Sequence, residues 1–198
     1  MLIFRPGFVT GNSKTGMWFP TDFLPRLFKS CIQLGMIPDW SSPAHGVDLL
    51  PVDYVANTIV QITTSQAQSK NPIIANLSQI NTTPLASLLK SFASLYDEKG
   101  TPPKVVSHEE WVEALLQAKE GNALMELTHL FSSPSFGFGT AQADGADFKR
   151  MVASCARGEK NAEYYSQVTS LDHLLPIYVA WMKEIEQAHH STFVPMRA

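Results

Sequence analysis

The stretch Met1-Leu2-Ile3-Phe4-Arg5-Pro6-Gly7-Phe8-Val9-Thr10-Gly11-Asn12-Ser13-Lys14-Thr15-Gly16 decides how the rest of the chain is read. Its first four residues form an apolar run, which predicts a strand. That run stops at Arg5-Pro6-Gly7, because proline cannot donate to a sheet ladder and glycine frees the backbone. Residues 10–16 are rich in turn formers. Thr21 or Asp22 can then cap a helix carrying Phe23, Leu24, Leu27, Phe28, Cys31 and Ile32 on one broad apolar stripe, with Gly35 ending it. Strand, turn and packed helix together make the opening unit of an α/β layer. A chain that starts in core strand rather than in polar, frayed residues also leads us to expect sequence upstream of Met1.

The alternation continues along the chain. Val47 to Leu50 reads as a short strand stopped by Pro51, and Asp53 can cap a helix bearing Val55, Ala56, Ile59 and Val60. Ile73 to Leu77 is the next strand. Thr83-Pro84 supplies an N-cap and a first-turn proline for a helix with Leu85, Leu88, Leu89, Phe92 and Leu95 on one face. Lys104 to Val106 reads as a strand, and Ser107 with Glu110 fits a capping box. This β-α-β-α-β order favours parallel strands. After Ser107 the pattern turns helical, around 111–118, 122–130, 147–156 and 171–188, while Ser132 to Gly145 reads as a long loop. The expected division is residues 1–106 as the sheet-bearing part and 107–198 as a mainly helical subdomain.

Composition narrows the function classes. With 198 residues, 44% of them hydrophobic, the chain can bury a real core. Fifteen Lys and Arg against eighteen Asp and Glu, with no basic run, give no footprint for nucleic acid. No apolar run approaches the roughly 20 residues of a membrane span and no secretory h-region opens the chain, so a cytoplasmic location is the default expectation. Cys31 and Cys155 lack metal-ligand spacing and are expected to be buried, reduced thiols. The six histidines suggest no metal site. Gly11 to Gly16 has the glycine spacing of a phosphate-binding loop, but Met17 and Trp18 stand where Lys and Ser or Thr are required. There is no Gly-x-Ser-x-Gly elbow for acyl transfer, and Gly137-Phe138-Gly139 has Gln142 where a dinucleotide fingerprint needs its third glycine.

Several motifs in order carry a resemblance: Arg5-Pro6-Gly7 through Gly16, then Thr21-Asp22-Phe23, Ile32-Gln33-Leu34-Gly35 and Pro51-Val52-Asp53-Tyr54-Val55-Ala56. They resemble the second half of thioester reductase domains, which are extended short-chain dehydrogenases. Such domains close peptide synthetases, polyketide synthases, aminoadipate reductases and carboxylic acid reductases, and are similar to fatty acyl-CoA reductases. The resemblance covers residues 1 to about 60 most strongly and continues through Trp111-Val112 and Asn122-Ala123-Leu124. It implies the C-terminal part of a Rossmann-like core with a mainly helical substrate-binding subdomain.

It also implies NADPH as cofactor and, as partner, an acyl or peptidyl carrier protein bearing a phosphopantetheine thioester. Pro6, Gly7 and Phe8 would lie beside the nicotinamide, although a strand-ending turn with no ligand explains Pro6 and Gly7 equally well. Ser13, Thr15, Gly16 and Trp18 would border the acyl pocket, while Pro51 to Ala56 would be scaffold with Asp53 as a helix cap. The family's glycine-rich turn and Tyr-x-x-x-Lys pair belong to its N-terminal half. Here Tyr54, Tyr96, Tyr164, Tyr165 and Tyr178 are followed four positions on by Thr58, Gly100, Val168, Thr169 and Met182, so no catalytic residue is assigned. An acyl-CoA reductase fragment and a non-catalytic, carrier-binding or partner-binding remnant are the alternatives. An open edge on the first strand would favour self-association.

Overall fold

The computed structural model describes residues 1–42, 45–47, 49–65, 73–77, 83–97, 100–118, 121–131 and 171–191. The expected loop from Ser132 to Gly145, the helix from Asp147 to Ala156 and Cys155 lie outside these residues.

Strand β1 (Leu2–Pro6) runs two residues past the expected end. Proline is accommodated because the ladder skips its missing donor and resumes at Gly7, whose N–H donates to the Leu77 carbonyl at 2.9 Å. Among the short strands that escaped the sequence reading are β2 (Val9–Thr10) and β3 (Met36–Pro38); both are too short for a periodic signal. Between them, α1 (Phe23–Leu34) has the expected stripe, burying Leu24, Leu27, Phe28 and Cys31, and Gly35 ends it at φ +63°. That left-handed setting is one a residue with a Cβ rarely adopts.

The predicted Val47–Leu50 strand is two elements instead: β4 (Gly46–Val47) and β5 (Leu50–Pro51). They pair with different strands, β4 antiparallel to β7 (Thr83–Pro84) and β5 parallel to β2. Pro51 closes β5 from inside, and α2 (Val52–Ser65) begins at once. Asp53 therefore sits in the first turn of α2 rather than ahead of it as a cap. β6 (Ile73–Leu77) pairs parallel with β1 through five residues, Leu2↔Ile73 to Pro6↔Leu77. Pro84, read as the first helical residue, is the N-cap of α3 (Leu85–Tyr96), because Thr83 is drawn into β7.

β8 (Lys104–Val106) pairs parallel with β3, and Ser107 caps α4 (His108–Gln117) by accepting from the Glu110 N–H at 3.1 Å. Among the described residues no strand follows Val106; a 3-10 turn (Met125–Leu127), α5 (Thr128–Phe131) and α6 (Leu171–Ser191) complete the chain. The expected α/β class holds, with three of the four strand pairs among the described residues parallel and β4–β7 antiparallel.

Two apolar cores result. The larger packs α1, α3, α4 and α6, with Phe28 and Phe92 stacked at 4.0 Å, and α6 contributes Leu174, Leu175, Tyr178, Val179 and Met182 from one face. Cys31 is buried there as a free thiol, and burial pushes its pKa far up. A second aromatic nest holds α4 and α5 together: the Trp40 indole N–H donates to Nδ1 of His108 at 3.2 Å. Nε2 of the same ring then carries the hydrogen and donates to the Phe131 carbonyl at 3.1 Å. The smaller core gathers Tyr54, Val55 and Ile62 of α2 with Leu50, Ala75 and Leu77.

Candidate cofactor and substrate site

The geometry of the site follows from β2 and β5 lying side by side. Thr10 is in register with Pro51, and the Leu50 N–H donates to the Phe8 carbonyl at 2.9 Å. Three residues after Thr10 comes Ser13, and two after Pro51 comes Asp53, so the turn leaving β2 meets the first turn of α2. There the Asp53 carboxylate takes both Ser13 donors, the backbone N–H at 2.9 Å and the hydroxyl at 2.7 Å. A carboxylate is far too weak a base to hold a serine proton, so this pair orients the turn rather than generating a nucleophile.

The other anchor comes from α6. The Tyr178 hydroxyl donates to the Gly11 carbonyl at 3.0 Å, and its single hydrogen being spent there, it accepts from the Thr10 hydroxyl at 2.7 Å. Burial, with the Asp53 charge adding and the Thr10 bond opposing, pushes this phenol well above its ordinary pKa. Within the turn, Asn12 accepts from the N–H groups of Lys14 and Thr15 through its side chain, and from Gly16 through its carbonyl.

Glycine at 16 is required by both conformation and space. Its φ is +71°, and a Cβ there would fall 2.4 Å from the Ile177 carbonyl oxygen of α6.

These contacts place each residue expected to touch a ligand. Pro6 and Gly7 are exposed where β1 ends, with β6 beside them, at the carboxyl end of a parallel pair. In open α/β sheets ligands enter at that end. Phe8 is half-buried, its ring 6.4 Å from Phe23. Ser13 and Trp18 are buried, the indole lying 5.0 Å from Tyr178 and 6.3 Å from Phe28, whereas Thr15 is exposed and Gly16 is packed on α6. Met17 and Phe19, on either side of Trp18, are 65% and 67% exposed.

Two further participants were missed by sequence reasoning. Asp53 was read as a cap of its own helix, and Tyr178 had no role; neither carries a local signal, since their partners lie 40 and 168 residues away. Asn12 was recognisable as a turn former, and it acts as one. Among the described residues no helix is long and apolar enough to cross a membrane.

Comparison with known proteins shows what the chain is similar to. Residues 1–59 match the NAD-binding family described as male sterility protein. The L-2-aminoadipate reductase large subunit of Eremothecium gossypii is 34% identical over 129 residues, covering 65% of this chain and 9% of that protein. A non-canonical nonribosomal peptide synthetase of Aspergillus hancockii is 32% identical over 124 residues, covering 60% of this chain and 11% of its own length. The fold is that of the terminal R domain from the myxalamid PKS-NRPS biosynthetic pathway, with TM-score 0.66, 23% identity, and coverage of 99% of this chain and 45% of that one.

The reductase domain of a Mycobacterium tuberculosis nonribosomal peptide synthetase is similar at TM-score 0.65 and 16% identity, covering 93% of this chain and 46% of that chain. The chain thus spans about a tenth of these curated relatives and under half of each solved domain. A shared fold over nearly the whole chain and 32–34% identity over some three fifths of it agree: the chain is similar to the reductase domains of aminoadipate reductases and of peptide and polyketide synthetases.

Proposed function

We propose that this chain is the C-terminal, substrate-binding part of an NAD(P)H-dependent thioester reductase, which reduces a carrier-protein-bound acyl thioester to an aldehyde or alcohol. The observation that supports this reading best is the path of residues 6–18. The chain leaves a parallel strand at its carboxyl end, exposes Pro6 and Gly7, and enters a turn held from two sides, all within the segment that matches the NAD-binding family.

These residues fit a nicotinamide beside them. Pro6 and Gly7 leave backbone open at the strand end, and Gly7 adds no side chain to block a planar ring. They would flank the ring rather than hold the dinucleotide, since the chain contains neither a Gly-x-Gly-x-x-Gly turn nor a Tyr-x-x-x-Lys pair. When bound, the reduced nicotinamide supplies the hydride. Residues Ser13 to Trp18 border the acyl pocket, and the part of the chain from residue 107 onward contributes its lid and faces the carrier protein.

The chain alone is expected not to oxidise NADPH. Joined to the nucleotide-binding half of a relative, it should do so with a carrier-bound thioester faster than with the matching CoA thioester. The reverse preference would favour the acyl-CoA reductase alternative, and no oxidation with either would overturn the reductase reading in favour of a non-catalytic remnant.

A further inference from the structure

We propose that Tyr178 and Asp53 are positioning residues: together they set the turn Gly11 to Gly16, so the wall of the substrate pocket is placed by α6 and α2 rather than by the turn's own sequence. The identity of the pocket rests on the thioester reductase reading, whereas the latch itself rests on geometry alone.

The turn's internal bonds are made by Asn12, Lys14, Thr15 and Gly16, and Lys14 and Thr15 are exposed, so water competes for those bonds. The anchoring bonds differ in kind. Thr10 and Tyr178 are 2% and 1% exposed, and their hydroxyls and the Gly11 carbonyl form one chain in which each hydrogen has one acceptor. Water cannot replace them without opening the core. At the far end of the turn, Gly16 rests on the Ile177 carbonyl and the Trp181 Cβ. That seat follows Pro176, where α6 lacks a backbone donor and its hydrogen-bond ladder is interrupted. A displacement of α6 therefore reaches the turn at Gly11 and at Gly16, while Asp53 holds Ser13 between them.

Hydrogen–deuterium exchange on the purified chain tests the latch without reference to activity. Tyr178→Phe keeps the ring against Trp18 and removes only the hydroxyl; Asp53→Ala removes both Ser13 acceptors, and Asp53→Asn restores one acceptor and offers an amide to the hydroxyl. The amides of Asn12, Ser13 and Gly16 should exchange about tenfold faster in Tyr178→Phe and Asp53→Ala, with partial recovery in Asp53→Asn. Tyr96→Phe, which breaks the Glu186 contact elsewhere on α6, should leave those amides unchanged. Unchanged exchange in Tyr178→Phe, or an equal rise in Tyr96→Phe, would overturn the proposal.

With the nucleotide-binding half joined, Tyr178→Phe should raise KM for the thioester about fivefold while KM for NADPH moves less than about twofold. Equal changes in both constants would mean the tyrosine only stabilises the fold. If the unsubstituted protein shows no turnover, the reductase reading fails, and the exchange result still decides the latch.

Discussion

The two cores of this protein are built to different standards. In the helical core Trp40, Trp111, Phe28, Phe92 and Phe131 are all nearly inaccessible and α6 lies against α3. Among the described residues the sheet core is closed on one side. Along the β1–β6 register, Phe4, Ala75 and Leu77 face α2, whereas Ile3 and Ile74 face away from it, and Ile74 is 50% exposed. Among the described residues β1 pairs with β6 alone. Parallel sheets are normally covered on both faces, because a bare face leaves apolar surface in water and a bare edge leaves unpaired peptide groups. Among the described residues the helices thus hold the tighter packing, and the sheet carries the more open apolar surface. The candidate site lies between them, clamped by one residue from each side.

That contrast is most easily broken by truncating side chains in the two cores. Trp111→Ala should cost about 3–5 kcal/mol in urea melts, as large aromatic deletions in closed cores do, whereas Ile3→Ala on the open face should cost about 1 kcal/mol or less. Equal losses would mean that the sheet face is covered after all.

The seam between the cores should come next. Gly16→Ala combines a left-handed φ with a clash against backbone, which cannot rotate away, and should cost at least ~2 kcal/mol. A neutral result would show that α6 does not press on the turn.

The open edge should matter less for stability than for association. Light scattering at rising concentration should give masses above the 21.9 kDa of one chain. Ile3→Lys, which places a charge beside the bare edge, should restore the monomer while changing the melt by about 1 kcal/mol or less. A monodisperse monomer before substitution would remove the distinction between open and closed cores.

The last effect is a pH dependence. Tyr178 and Cys31 are both buried in the helical core with folded pKa values raised above their unfolded ones. Between the two values the folded state holds the extra proton, so the stability they contribute is complete at neutral pH. It falls as pH rises past the unfolded values of about 8.5 for the thiol and about 10 for the phenol. The melting temperature should therefore decline steadily from about pH 9 upward, and Tyr178→Phe should flatten the part of that decline above about pH 10. A melting temperature constant through pH 11 would contradict the burial of both groups.

Much of the frame was legible in local sequence. The stripe from Phe23 to Ile32, its glycine stop at Gly35, strand β8 and the Ser107 cap needed only neighbours within a turn or two. Their signals, helical spacing and side-chain capping, are themselves local. The reading failed where a residue's partner is remote. Thr83 joins β7 because Val47 lies opposite it, and Pro84 is displaced to the cap position as a result. Asp53 suits a helix start by composition, yet which donors its carboxylate takes is set by the parallel pairing of β2 with β5, which brings Ser13 alongside.

The sequence by itself therefore determined the α/β alternation, the helix faces and the place of the turn from Gly11 to Gly16, since each is written in the spacing of adjacent residues. Only the tertiary structure decided how that turn is held. A phenol at 178 can bond a carbonyl at 11 only after the whole chain between them has folded, and no local preference encodes so long a closure.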